Sequence, residues 1–232
     1  MDLSADDWQA LVISLKVALV ASAVSLPFGV LAAWVLARKE FVGKSLLNGL
    51  IHLPLILPPV VTGYVLLLLF GRRGPIGGFL DQAFGIVLSF RWTGAALACA
   101  IMGFPLMVRA IRLAIEGLDQ GLEAAATTLG AGRWTVFRTI TLPLIMPGII
   151  TGVILSLAKS MGEFGATITF VSAIPGETKT IAAAIYSYTQ VPDGDAGAFR
   201  LTIVSVIVSF AALIASEVLA RRARRHLGDA DA

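Results

Sequence analysis

Long unbroken apolar runs, rather than alternation, set the pattern of this chain. Residues 11–37 are apolar apart from Lys16, long enough for a tilted crossing where about 20 residues traverse the hydrocarbon. Pro27 and Gly29 are candidate kinks within that run. The second run, 46–70, holds His52-Leu53-Pro54-Leu55-Ile56-Leu57-Pro58-Pro59. Prolines at three of those positions rule out one unbroken helix, so its first part is predicted to be a broken helix packed inside the protein, where the freed carbonyls find partners. Further runs at 93–115, 142–161 and 201–220 complete the set, the last closed by Arg221, Arg222, Arg224 and Arg225. This pattern predicts an all-α integral membrane protein with about five transmembrane helices, an external segment at 1–10 and a basic tail at 221–232.

Two connecting stretches are less regular. Residues 71–92 read as a mixed loop with Arg72, Arg73, the turn signal Gly74-Pro75 and an apolar patch at 84–90 too short to cross. Residues 164–174 are apolar and β-branched but also too short, and Pro175-Gly176 ends them. A re-entrant or cavity-lining segment is the expectation there, followed by a loop at Asp193-Gly194-Asp195.

Composition narrows the class. With 57% hydrophobic and 14% charged residues and a mean hydropathy of +0.86, the 232-residue chain is far more apolar than an ordinary soluble domain. The single cysteine, Cys99, lies in an apolar run and leaves no disulfide or cysteine metal site within the chain. Asp2, Asp6 and Asp7 precede the first cation, which does not fit the basic start of a cleaved signal peptide, so the amino terminus is expected to be retained. Charge placement predicts orientation. With the amino terminus outside, the inner stretches carry eleven Lys or Arg and the outer ones five (Arg72, Arg73, Arg91, Lys179 and Arg200), as the positive-inside rule requires.

A polar island at 123–143, EAAATTLGAGRWTVFRTITLP, separates the third and fourth runs. Its first part is rich in helix formers, and Gly130-Ala131-Gly132 then breaks the helix. A second short helix is expected from Arg133, with Trp134, Phe137 and Ile140 on an apolar side and Arg133 and Arg138 between them. Pro143 starts the next span.

This island resembles the EAA loop of ATP-binding-cassette importer permeases: Glu-Ala-Ala, three residues, Gly, nine residues, Ile-x-Leu-Pro. Gly130, Ile140, Leu142 and Pro143 match its second half, while counting back from Gly130 places Glu-Ala-Ala on Ala124, Ala125 and Ala126. Glu123 stands one residue early, a displacement of about 100° around a helix. The resemblance implies a type I importer fold and a coupling helix that docks in a groove of a separate ATPase subunit. The segments around 52–65, 104–120 and 162–181 are similar to the permease subunits of molybdate importers. That likeness implies a homodimer in the inner membrane, two copies of a cytoplasmic ATPase that uses ATP and Mg, a periplasmic oxyanion-binding protein, and no cofactor on this chain. Sulfate, thiosulfate or tungstate permeases would share most of these features.

Other motifs stay weaker. Gly43-Lys44-Ser45 resembles the end of a phosphate-binding loop, but Arg38 occupies the required upstream glycine position. Ser156 and Lys159 have the Ser-x-x-Lys spacing of a nucleophile and its base, the one basis for a membrane-embedded hydrolase. A span-end lysine reaching the interface is the plainer reading. His52 and His226 are too far apart for a metal pair. Glu163, between Gly162 and Phe164, is either functional at membrane depth or an interfacial partner of Lys159. Arg109 and Arg112 either attract an anion or obey the charge rule. With almost no cations inside the spans, a transported dianion would meet hydroxyls and backbone donors, and Ser156, Ser160, Thr167 and Thr169 together with Glu163 are the candidate path residues, against a reading in which the hydroxyls only bond neighbouring backbone.

Overall fold

A computed structural model describes residues 3–228; the ends of the expected external segment and basic tail, 1–2 and 229–232, lie outside the described residues. The chain is helical, with no strand among the described residues. Helix α1 (Ala5–Arg38) starts inside the expected external segment because Ser4 and Asp7 form a reciprocal cap, each side chain bonding the other's backbone N–H.

The second apolar run divides into α2 (Lys44–Ile56) and α3 (Pro59–Phe70), whose axes meet at 113°. The cause is local. Leu57 and Pro58 each precede a proline and are held extended, with ψ of 145° and 132°, because a following proline disfavours the helical conformation. Contrary to the expected packing inside the protein, α2 buries none of its residues within one chain, and Leu46, Leu50 and Ile56 are exposed. The 71–92 stretch contains a helix, α4 (Pro75–Phe84), started by a proline in its first turn.

Helix α5 (Trp92–Glu116) leads into the polar island, which carries α6 (Gln120–Thr128) and α7 (Arg133–Val136). A π-helical segment (Phe137–Thr141) joins α7 to α8 (Leu142–Met161), so the second island helix and the fourth span form one continuous rod. Two short helices, α9 (Gly165–Val171) and α10 (Ile181–Thr189), precede α11 (Asp195–Gly228), which contains the expected fifth span and carries the helix on through the first eight residues of the basic tail. Three rods among the described residues (α1, α5 and the run from Arg133 to Met161) are long and apolar enough to cross a membrane, and the bent α2–α3 pair has the length and composition of either a broken span or a re-entrant loop.

The core is the α1–α5–α8 group. Small residues let these helices approach closely, as in membrane bundles generally: a Cβ added at Gly103 on α5 would stand 2.5 Å from the Ser156 hydroxyl of α8. At the island end, Ala33 and Leu36 meet Met107, Val108, Ile111, Ile145 and Ile149. At the other end, Ile13, Val17 and Ala21 pack with α5 and with Phe170 and Val171 of α9. Three of the cations within the apolar runs have local partners: Lys16 lies over the Trp92 ring, 3.6 Å from its centroid, Arg112 pairs with Glu116, and Lys159 pairs with Glu163.

Candidate coupling site

The island is built from its caps. Asp119 accepts a bond from the Gly121 N–H and so starts α6. At the other end, Gly130 N–H donates to Thr127 O and Ala131 N–H to Ala126 O, the paired bonds of a Schellman stop. Gly130 supplies the left-handed residue that such a stop needs, at φ +89°. A Cβ there would meet nothing within 4 Å, so backbone conformation alone demands glycine.

Beyond Gly132 the chain turns back toward the bundle through α7 and the π segment, where Leu142 N–H bonds Phe137 O five residues back. Pro143 accounts for the wide turn. It cannot donate, and its ring would press on the carbonyl four residues earlier; one extra residue in the turn relieves that clash.

Glu123 fastens α6 to the bundle. Thr141 Oγ1 donates to Glu123 Oε1 at 2.6 Å, and Arg38 Nη2, at the end of α1, lies 3.1 Å from Oε2. The Arg38 contact is an ion pair only, since Nε and Nη2 are buried and neither makes a hydrogen bond among the described residues. Arg38 also lies 5.6 Å from the Trp34 ring centroid; Trp34 meets Phe137 edge-on, and Phe137 stacks with Trp134. The end of α1, the one carboxylate of α6 and the π segment therefore form one cluster. Ala124 and Ala125 face outward, as do Leu129 and Trp134. Thus the position aligned with the family's glutamate presents a methyl group to the outside, while the carboxylate one residue earlier turns inward. Ile140, Leu142 and Pro143 are half-buried where the island joins α8. Sequence reasoning missed Arg38 and Thr141 as partners of Glu123, and Trp34 beside Arg38; a lone carboxylate in an alanine-rich helix was the available signal.

The candidate path residues lie on α8 and around α9, and their hydroxyls are largely committed. Thr167 and Thr169 donate to Phe164 O and Gly165 O within their own helix region, and Ser160 donates to Cys99 O. Ser156 is fully buried and accepts a long bond, 3.5 Å, from Ser22. Glu163, 1% exposed, accepts from Lys159 at 2.6 Å and from the Ala166 N–H at 3.0 Å. Thr62 on α3, which sequence reasoning did not single out, has a buried hydroxyl with no partner among the described residues.

Residues 25–225 match the sequence family described as "Binding-protein-dependent transport system inner membrane component". The chain belongs to this family of transport permeases. It is 58% identical over 228 residues to the Molybdenum transport system permease protein ModB of Escherichia coli, covering 98% of this chain and all of that one. Identity to ModB of Haemophilus influenzae is 53%, across 94% of this chain and 96% of the relative. The Sulfate transport system permease protein CysT of Salmonella typhimurium is 39% identical, across 87% of this chain and 72% of that relative. Among solved structures, a chain of a bacterial alginate ABC transporter in complex with its pentasaccharide-bound periplasmic protein superposes with a TM-score of 0.75 at 17% identity, covering 94% of this chain and 80% of that one. A chain of the MetNI methionine transporter superposes at 0.67 with 15% identity, covering 94% of both. The fold is that of ABC importer permeases.

The geometry at Ser156 and Lys159 does not fit the hydrolase reading. In this permease Lys159 is spent on Glu163, and the Ser156 hydroxyl is sealed against Ser22 and Gly103. A nucleophile needs its base within hydrogen-bond reach and an open approach for substrate.

Proposed function

We propose that this permease imports molybdate across the inner membrane, as a homodimer driven by two copies of a separate ATPase subunit and supplied by a periplasmic oxyanion-binding protein. The observation that carries the substrate is the end-to-end match at 58% to a molybdenum permease, against 39% to a sulfate permease. The amino terminus lies outside and the island inside, where Trp134, Leu129 and the outward face of α6 dock in a groove of the ATPase. ATP and Mg are used there and not on this chain. Closing of the ATPase pair moves α6, and Glu123 passes that motion to the end of α1 through Arg38 and to α8 through Thr141.

The path runs between two copies. The interior of one chain is packed shut where Gly103 meets Ser156, whereas α2 and the first turns of α3 present an unpartnered apolar face with Leu50, Ile56, Val60 and Tyr64 exposed. Ser156, Ser160, Glu163, Thr167 and Thr169 border that path when the helices rock apart, with Thr62 as a further donor. The deciding experiment is ATP-dependent uptake by the reconstituted complex with its binding protein, with molybdate, tungstate and sulfate in competition. Molybdate uptake that sulfate fails to suppress is expected; sulfate carried with molybdate ignored would refute the substrate while leaving the permease assignment intact.

A further inference from the structure

A cavity of about 680 Å³ opens between α3, the turn before α4 and the segment leading into α5; Arg72, Arg73, Ser89, Phe90 and Arg91 are among the residues lining it. It lies at the opposite end of α5 from the polar island, since α5 runs from Trp92, next to Arg91, to Glu116, next to the island. That is a separation of about 37 Å at 1.5 Å per residue.

Several features converge there. Three of the five cations assigned to the outer stretches gather around this one cavity, on the side where permeases carry fewest. Asp81 approaches Arg72 only to 4.0 Å, and no carboxylate among the described residues lies within ion-pair distance of Arg73 or Arg91. Ser89, 5% exposed, also lines the cavity. Phe90, between Ser89 and Arg91, is held at φ +60°. A non-glycine residue in that region is strained, and such strain clusters at ligand sites. Guanidinium groups bond tetrahedral oxyanions through paired donors, and a serine hydroxyl adds one more.

We propose that this cavity is an external site for a tetrahedral dianion, the first station on the permease for the transported ion. The inference rests on the oxyanion-importer reading above. The arginines are exposed at a mouth rather than buried in a ring, so they raise the local dianion concentration and exchange it quickly, instead of trapping it.

The test is equilibrium dialysis with radiolabelled molybdate on the intact permease–ATPase complex in nanodiscs, without binding protein. One saturable site per permease chain is expected in zwitterionic lipid, displaced by tungstate but not by chloride at equal ionic strength. The double variant Arg73→Gln/Arg91→Gln should weaken it about tenfold or more. Both side chains are exposed, so the variant should assemble with the ATPase at wild-type abundance. No saturable binding, or binding indifferent to the double variant, overturns the site. Binding abolished by anionic phospholipid assigns the cavity to a lipid phosphate and also overturns it. Uptake measured in parallel separates the two readings: wild-type molybdate uptake without a dialysis site removes this site alone, and absence of molybdate uptake removes the substrate reading beneath it.

Discussion

At the scale of single residues, Gly130 and Glu123 carry the coupling proposal. The left-handed φ of Gly130 is opposed by no neighbour, so Gly130→Val should cost on the order of 1–3 kcal/mol through the backbone alone. Membrane abundance should hold while substrate-stimulated ATPase and uptake separate. Gly130→Asn, which tolerates that conformation, should retain more coupling than valine; equal loss in both would mean that the side chain, not φ, matters. Replacing Glu123 by Gln should lower uptake, and a double-mutant cycle with Arg38→Gln should report a coupling of about 0.5–3 kcal/mol. A coupling of zero would dissolve the α1–α6 link. The stop at Gly130 was legible in the sequence because turn chemistry is local. Arg38 was not, since its partner lies 85 residues away and charge counting had assigned it to orientation.

Among the elements, the π segment is the least expected. Removing its cause with Pro143→Ala should let the turn tighten to an α-helix, rotating α7 by about 100° relative to α8. Trp134 and Leu129 would then point away from their docking direction. Basal ATPase should survive and stimulation by loaded binding protein should fall; unchanged stimulation would show that the wide turn is incidental. The sequence marked Pro143 as the start of a span, but which backbone bonds reorganise around a proline depends on the rods it must join. The break at Leu57–Pro59 was readable, because successive prolines dictate extended residues. Its 113° outcome, and the bare apolar face of α2, were not, because hydropathy reports burial in lipid and in protein alike.

For the whole molecule, orientation is the direct test. In a Cys99-free background, single cysteines at Asp6 and Gln190 should react with an impermeant reagent from outside and one at Gly121 only from inside. The reverse labelling would put the island on the wrong side for an ATPase. The broad architecture was legible because apolar runs of span length have few alternatives in lipid. The tertiary ties between distant ends were not. Asp7 in α1 is 1% exposed and takes two bonds from Arg200 of α11 and one from Tyr188 of α10. Arg200 is translated 193 residues after Asp7. The first helix of the nascent chain therefore waits, with a carboxylate whose partner does not yet exist, until the last helix is in place. In the finished fold a buried charge without its partner would cost about 3–5 kcal/mol, so an unfinished chain lacks the docking of α11 at this one spot near its beginning. Chains truncated before Arg200 should be degraded faster in pulse-chase than full-length ones, and Asp7→Asn should narrow that difference; equal lifetimes would mean that completion is sensed elsewhere.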